Sequence, residues 1–198
     1  MSDDVDRIAA RALAARPSVG PVRLVCVDGP AGSGKTTLAA ALAQTLSPTL
    51  GAVPVVHGDD LYEGWAVVAG APDRVAAFGT FADRVTEWLL DPWSHGQPGS
   101  HPVRDWYADA WGPTVEVPAA AVVILEGVGM ASRGLRSRAA LVVWVEVDAD
   151  LAIERVVARD GEGMRGEIVS WQRDETRWHE LDGTRDAADM RVSGAGPA

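Results

Sequence analysis

Apolar positions along this chain fall into two rhythms. Four short runs, Val22–Val27, Val53–His57, Ala121–Leu125 and Leu141–Val147, are bounded by turn residues, and the last three are nearly continuous in Val, Ile, Leu and Trp. A strand that is apolar at every position has both faces covered, as in a parallel sheet sandwiched between helices. The intervening segments carry the longer period. Thr36–Leu46 predicts a helix, and Pro72–Leu90 places Val75, Phe78, Phe81, Val85 and Trp88 at spacings of three and four after a Pro-Asp start. Asp148-Ala-Asp opens another helix that runs to about Arg159, a further helix covers about Glu167–Leu181, and Asp189–Val192 predicts a short last strand. Leu90–Pro118 breaks both rhythms with five prolines and three tryptophans, and is expected to be a long loop or small lid. The expected fold is an α/β sandwich with one mainly parallel sheet.

Composition narrows the partners more than the fold. At 198 residues the chain fills one domain, 1–198, and is short for two. A net charge of −10 repels nucleic acid and anionic membrane alike, so small solutes are the expected partners. Cys26 is the single cysteine and lies in an apolar run, which predicts no internal disulfide and a reducing compartment. His57, His95, His101 and His179 show no paired metal-ligand spacing, so no zinc is expected. The N-terminus is acidic and then amphipathic, without a leader-like apolar core, and no window is long enough to span a membrane; a cytoplasmic protein is expected. Apolar faces that bury a core and those that bury an interface look alike, so no oligomeric state is predicted.

Lys35 is the only lysine in the chain. It stands in Gly29-Pro-Ala-Gly-Ser-Gly-Lys-Thr36, which fits G-x-x-x-x-G-K-[ST], follows an expected strand and opens an expected helix. In that setting Gly29, Gly32 and Gly34 let the backbone curl so that N–H groups of Ala31 through Thr37, Ser33 included, converge on a phosphate chain, and the helix N-terminus adds its positive dipole end. Lys35 supplies a compact charge at the β- and γ-phosphates and is expected to lie exposed in the cup. A planar guanidinium would be too bulky there and would ask for a bidentate partner. Thr36 would place its hydroxyl on Mg²⁺.

Val122-Val-Ile-Leu-Glu126-Gly127 supplies the second acidic element. A carboxylate at the carboxyl end of a buried strand beside the phosphate loop can hold Mg²⁺ or its water shell, the alternative being an ordinary surface acid. Motor ATPases usually carry aspartate followed by glutamate here, so Glu126 fits a kinase better. The chain contains no Asn and no second Lys, and therefore lacks the Asn-Lys-x-Asp motif of Ras-type GTPases.

Two further segments complete a resemblance. His57-Gly-Asp59-Asp60-Leu61-Tyr62 is similar to the Asp-x-Phe-Tyr segment of the uridine kinase and phosphoribulokinase-like family, and Leu125-Glu126-Gly127-Val128 to its Glu-Gly-Ile. Arg155-Val-Val-Ala-Arg159-Asp160 with Arg165-Gly166 resembles that family's arginine-bearing lid, about 159–168 here. The likeness implies a P-loop NTPase-type three-layer sandwich that uses ATP and Mg²⁺ to phosphorylate a hydroxyl of a small metabolite, with a nucleoside as the first acceptor to consider. A sugar or vitamin precursor, or a regulator that hydrolyses ATP, are the alternatives. Asp59 is implied as the base that takes the hydroxyl proton, with Asp60 the other candidate, since neighbouring carboxylates on an extended chain point to opposite sides. Arg155, Arg159 and Arg165 are implied as phosphate ligands on lid closure, or else as solvated partners of Glu154, Asp160 and Glu162. On the acceptor side, about 59–118, Tyr62, His101 and Asp105 are candidate substrate contacts. Trp65, Trp93, Trp106 and Trp111 either stack on substrate or anchor loops, while Trp88 and Trp144 are expected in the core.

Overall fold

Strand β1 (Arg23–Asp28) is buried from Leu24 onward because it lies at the centre of a five-stranded sheet ordered β2-β5-β1-β6-β7. The computed structural model describes residues 2–63, 75 and 81–194. The other strands of this sheet are β2 (Val55–His57), β5 (Val122–Glu126), β6 (Leu141–Glu146) and β7 (Met190–Ser193), all paired in parallel. Successive residues of the apolar runs serve opposite layers. Leu24, Cys26, Val123, Leu125 and Val142 pack with Leu61, Leu89, Trp93 and Met130. Val25, Val27, Ile124, Val143 and Val145 pack instead with Val5, Ile8 and Ala12 of α1 (Ser2–Ala14) and with Leu38, Leu42 and Leu46 of α2 (Lys35–Leu50). The runs look continuous in sequence because each face has its own core.

The predicted strands lie within about two residues of those observed. Helix α3 (Ala149–Asp160) starts where expected, with the Asp148 carboxylate accepting the Asp150 and Leu151 amides, and α4 (Arg165–Asp182) follows a short 3-10 turn, Glu162–Met164. Of the predicted helix Pro72–Leu90, Val75 is helical and buried, and the residues before and after it up to 80 lie outside the described residues. From Phe81 the chain is helical through Val85, widens into a π turn over Thr86–Leu90, and closes with one more turn, Asp91–Ser94. Pro92 accounts for the widening, because its ring presses on the carbonyl four residues back and it has no N–H to give.

The reading of Leu90–Pro118 as a loop is corrected. Past Ser94 the segment forms an antiparallel hairpin, β3 (Gly99–Asp105) and β4 (Ala110–Val117), with an irregular register between Pro102 and Arg104. In a two-stranded ribbon each strand has an unpaired edge, where a proline's missing N–H costs nothing. Trp93, expected near the acceptor, is fully buried beneath this hairpin, and its indole N–H donates to the Val117 carbonyl at 3.0 Å. Trp93→Ala should therefore destabilise the protein by about 3–5 kcal/mol in urea unfolding; a loss below about 1 kcal/mol would remove Trp93 as the anchor. Trp144 is core as expected, whereas Trp88 is partly buried edge-on to the exposed Trp111, and Trp65 lies outside the described residues. Among the described residues no helix is long and apolar enough to cross a membrane.

Candidate functional site

The strand order sets the carboxyl ends of β2, β5 and β1 side by side, so His57, Glu126 and Asp28 share one edge of the sheet. From Asp28 the chain curls through the glycine-rich loop into α2. Gly29 (φ 148°) and Gly32 (φ 77°) have backbone angles that a side chain disfavours, and there is no room for one. A Cβ would lie 2.5 Å from the Val145 carbonyl oxygen at Gly29 and 2.4 Å from that of Ala152 at Gly32. The loop is thus held between β6 and α3, with Gly34 leading into α2 and Thr36 and Thr37 exposed on its first turn. The Ser33 hydroxyl is buried with no hydrogen-bond partner among the described residues.

Lys35 is not the exposed side chain expected. It folds back into its own loop, where the ammonium donates to the carbonyls of Gly29 at 2.8 Å and Pro30 at 2.9 Å. Those carbonyls hold a cation in place at the mouth of the anion cup.

Thr36 and Glu126, predicted as the metal pair, meet directly: the Thr36 hydroxyl donates to Glu126 Oε1 at 3.0 Å. Glu126 is buried, which removes the surface-acid alternative. The two groups offer hard oxygen donors of the kind Mg²⁺ takes alongside phosphate oxygens and water, so these residues fit the cation. Among the described residues no cluster of three or more His, Cys, Asp or Glu could hold a metal. His57 was not singled out by the sequence, yet its Nδ1 lies 2.6 Å from the same Glu126 oxygen. That hydrogen bond raises the imidazole above its ordinary pKa. Glu126→Gln should lower the His57 pKa, read by NMR titration, and raise the Mg²⁺ needed for half-maximal activity by about tenfold. A His57 that titrates unchanged would break this link.

Asp59 and Asp60 sit on a 3-10 turn, Gly58–Leu61, not on extended chain, so their side chains are roughly a third of a turn apart, not opposed. Asp59 remains open to solvent on one side while protein crowds the others. That crowding raises its carboxyl above the usual carboxylate range; Lys35 and Arg159 pull it down, and Glu126 and Asp60 push it up. Asp59 thus lies within electrostatic reach of Lys35 in the phosphate loop and of Arg159 on α3. Trp106 links the hairpin to this turn, its indole N–H donating to the Asp59 carbonyl at 3.1 Å.

The other acceptor-side candidates have structural partners. Tyr62 is buried, donates its hydroxyl to the Val128 carbonyl at 2.9 Å, and packs against Trp106 and Trp171. His101 is buried on β3 with Nδ1 3.0 Å from the Pro102 carbonyl. The Asp105 carboxylate accepts the Tyr107 and Ala108 amides, which closes the hairpin turn. Of the lid arginines, Arg155 reaches the loop, donating to the Gly32 carbonyl at 3.3 Å. Arg159 pairs in two-pronged fashion with Asp160 while lying within electrostatic reach of Asp59. Arg165 is engaged by Glu154 and Glu162, the acidic partners weighed for it in the sequence.

Three further residues under the loop escaped the sequence. Asp28 is fully buried and accepts the amides of Gly29, Gly129 and Ala131 at 2.7, 3.1 and 2.8 Å, joining the phosphate loop to the segment after Glu126. Glu175 and His179 approach from α4. Their spacing of four marks one helix face, but on a helix polar nearly throughout nothing distinguished that face.

Solved structures share this architecture over nearly its whole length. A possible uridine kinase from Bacillus stearothermophilus superposes with a TM-score of 0.71 at 20% identity, covering 96% of this chain and 98% of that one. A candidate fructose transport system kinase from Silicibacter gives 0.69 at 22% identity, covering 95% and 98%. D-glycerate 3-kinase from Cryptococcus neoformans gives 0.63 at 16% identity, covering 96% and 94%. No protein-family model matches the chain, and no curated protein matches it in sequence. The chain shares with these three kinases the P-loop NTPase-type α/β fold, a mainly parallel five-stranded sheet flanked by helices. In this chain the shared fold sets the phosphate loop after the central strand, Arg155 and Arg159 on α3, and Arg165 at the start of α4.

Proposed function

We propose that this protein transfers the γ-phosphoryl group of ATP to a hydroxyl of a small metabolite. The observation that carries the reading is the convergence of Lys35, the Thr36–Glu126 pair and Asp59 at one edge of the sheet of a P-loop kinase fold. Loop amides and Lys35 hold the phosphates and offset their charge. Asp59 accepts the proton of the attacking hydroxyl, a task that suits a carboxylate whose affinity for protons is raised by its surroundings. Mg²⁺ held at Thr36 and Glu126 would supply charge neutralisation at the phosphates. Arg155, which donates to the loop, and Arg159, within electrostatic reach of Asp59, would exclude water and stabilise charge as the lid closes; Arg165 would first have to leave Glu154 and Glu162.

A nucleoside such as uridine is the first acceptor, supported by the first of the fold neighbours; sugars and small hydroxy acids follow from the other two. ADP release measured with ATP and Mg²⁺ across a panel of nucleosides, sugars, hydroxy acids and vitamin alcohols tests the reading. A rate that depends on one added hydroxyl compound is the expected result. Nucleotide binding with no acceptor-stimulated turnover would favour an ATP-dependent regulator.

A further inference from the structure

The transfer just described leaves a buried polar face of α4 unused. Glu175 is 1% exposed, although a carboxylate is among the costliest groups to take out of water. Its Oε2 accepts the N–H of Ala31, in the phosphate loop, at 3.0 Å, and its Oε1 accepts the indole N–H of Trp171, one helical turn back. One turn on, His179 Nε2 lies 3.3 Å from Asp28, with its ring edge-on to Trp144 at 4.7 Å between centroids. The helix is therefore joined to the loop at Ala31 and to the strand that launches the loop at Asp28. Arg165 begins the same helix, ten residues or about 15 Å from Glu175.

A phosphate loop works by presenting amides to an anion, and here one of its amides already has one, supplied by the protein. We propose that Glu175 is a positioning residue for nucleotide binding: as an internal anion it holds the Ala31 amide of the phosphate loop and fastens that loop to the helix bearing Arg165. This rests on the nucleotide-binding half of the reading above and needs no acceptor. A triphosphate entering the cup brings a second anion beside Glu175. Lys35 from α2, His179 and the Trp171 N–H from α4, and the Ala31 amide favour the ionised carboxylate, and its charge in turn helps hold the buried Tyr62 hydroxyl protonated. Burial outweighs the favourable groups and already holds Glu175 above the ordinary carboxylate range. A further negative charge raises it again, so nucleotide binding should take up a proton at Glu175 and weaken as pH rises between its free and nucleotide-bound values, both above the ordinary carboxylate range.

Calorimetric titration of the full chain with ATP and Mg²⁺, without acceptor, in two buffers of different ionisation enthalpy measures that proton. The wild type should take up protons on binding. Glu175→Gln, uncharged and able to accept only one of the two N–H groups, should take up clearly fewer and lose most of the pH dependence of ATP affinity. Asp59→Asn, which removes the raised carboxyl near the loop on the β2 side, should keep the Glu175 share. Equal uptake in wild type and Glu175→Gln would overturn the assignment, as would loss of the whole uptake in Asp59→Asn. Should Glu175→Gln fail to fold, Glu175→Asp keeps the charge but falls a methylene short of Ala31. Amide exchange in the peptide spanning Ala31 should then rise at least about tenfold, and unchanged exchange would overturn the tether. Absence of ATP binding by the folded wild type would defeat the kinase reading and this inference together, whereas binding with no acceptor turnover defeats the first alone.

Discussion

Lys35→Ala should lower phosphoryl transfer by about a hundred- to a thousandfold, the range seen when one preorganised charge donor is removed from a transition state. Among the described residues the buried ammonium bonds to the carbonyls of Gly29 and Pro30, so its loss removes two hydrogen bonds within the loop. The variant should remain folded by circular dichroism, with stability reduced by about 1–3 kcal/mol. Lys35→Arg should be nearly as inactive. Gly29 presses on Val145 and Gly32 on Ala152, so the loop cannot widen around a guanidinium. Retention of more than about a tenth of the wild-type rate by either variant, a loss under about 1.4 kcal/mol, would take the phosphate-holding role from Lys35.

Asp59→Asn is expected to cost about 10²–10⁴-fold in kcat, the usual contribution of a general base, while ATP affinity stays within a few-fold. Asn keeps the shape of the side chain, and the turn is held by other means: Trp106 bonds the Asp59 backbone carbonyl, not its carboxylate. The pH profile supplies the sign. A base works deprotonated, so kcat/KM should fall as pH drops through the Asp59 pKa, and crowding of the carboxyl places that acid limb above the normal carboxylate range. The limb should disappear in Asp59→Asn and persist in Asp60→Asn. If Asp60→Asn is the inactive variant, the base lies one residue further along the 3-10 turn.

The layered parallel sheet and the phosphate loop were legible in the sequence because each rests on local pattern. Runs such as Val122–Leu125 and Leu141–Val145 permit little but a strand covered on both faces, and the glycines of 29–34 placed before a helix permit little but an anion cup. Glu126 was legible for the same reason, as an acid closing a buried strand. The hairpin at 99–117 was not, since its prolines argue against strands in general and only a ribbon with two open edges tolerates them.

What the sequence determined by itself, then, is the fold class, the Lys35 loop and the acid at Glu126, all set by residues close together in the chain. Tertiary structure alone decided which distant groups meet. It joined His57 and Thr36 to one oxygen of Glu126, turned Lys35 inward, brought Asp59 within electrostatic reach of Arg159, and set Glu175 beneath Ala31 across 144 positions. Side chains far apart in sequence acquire their partners and their proton affinities only when packing excludes water between them. No local pattern records that exclusion.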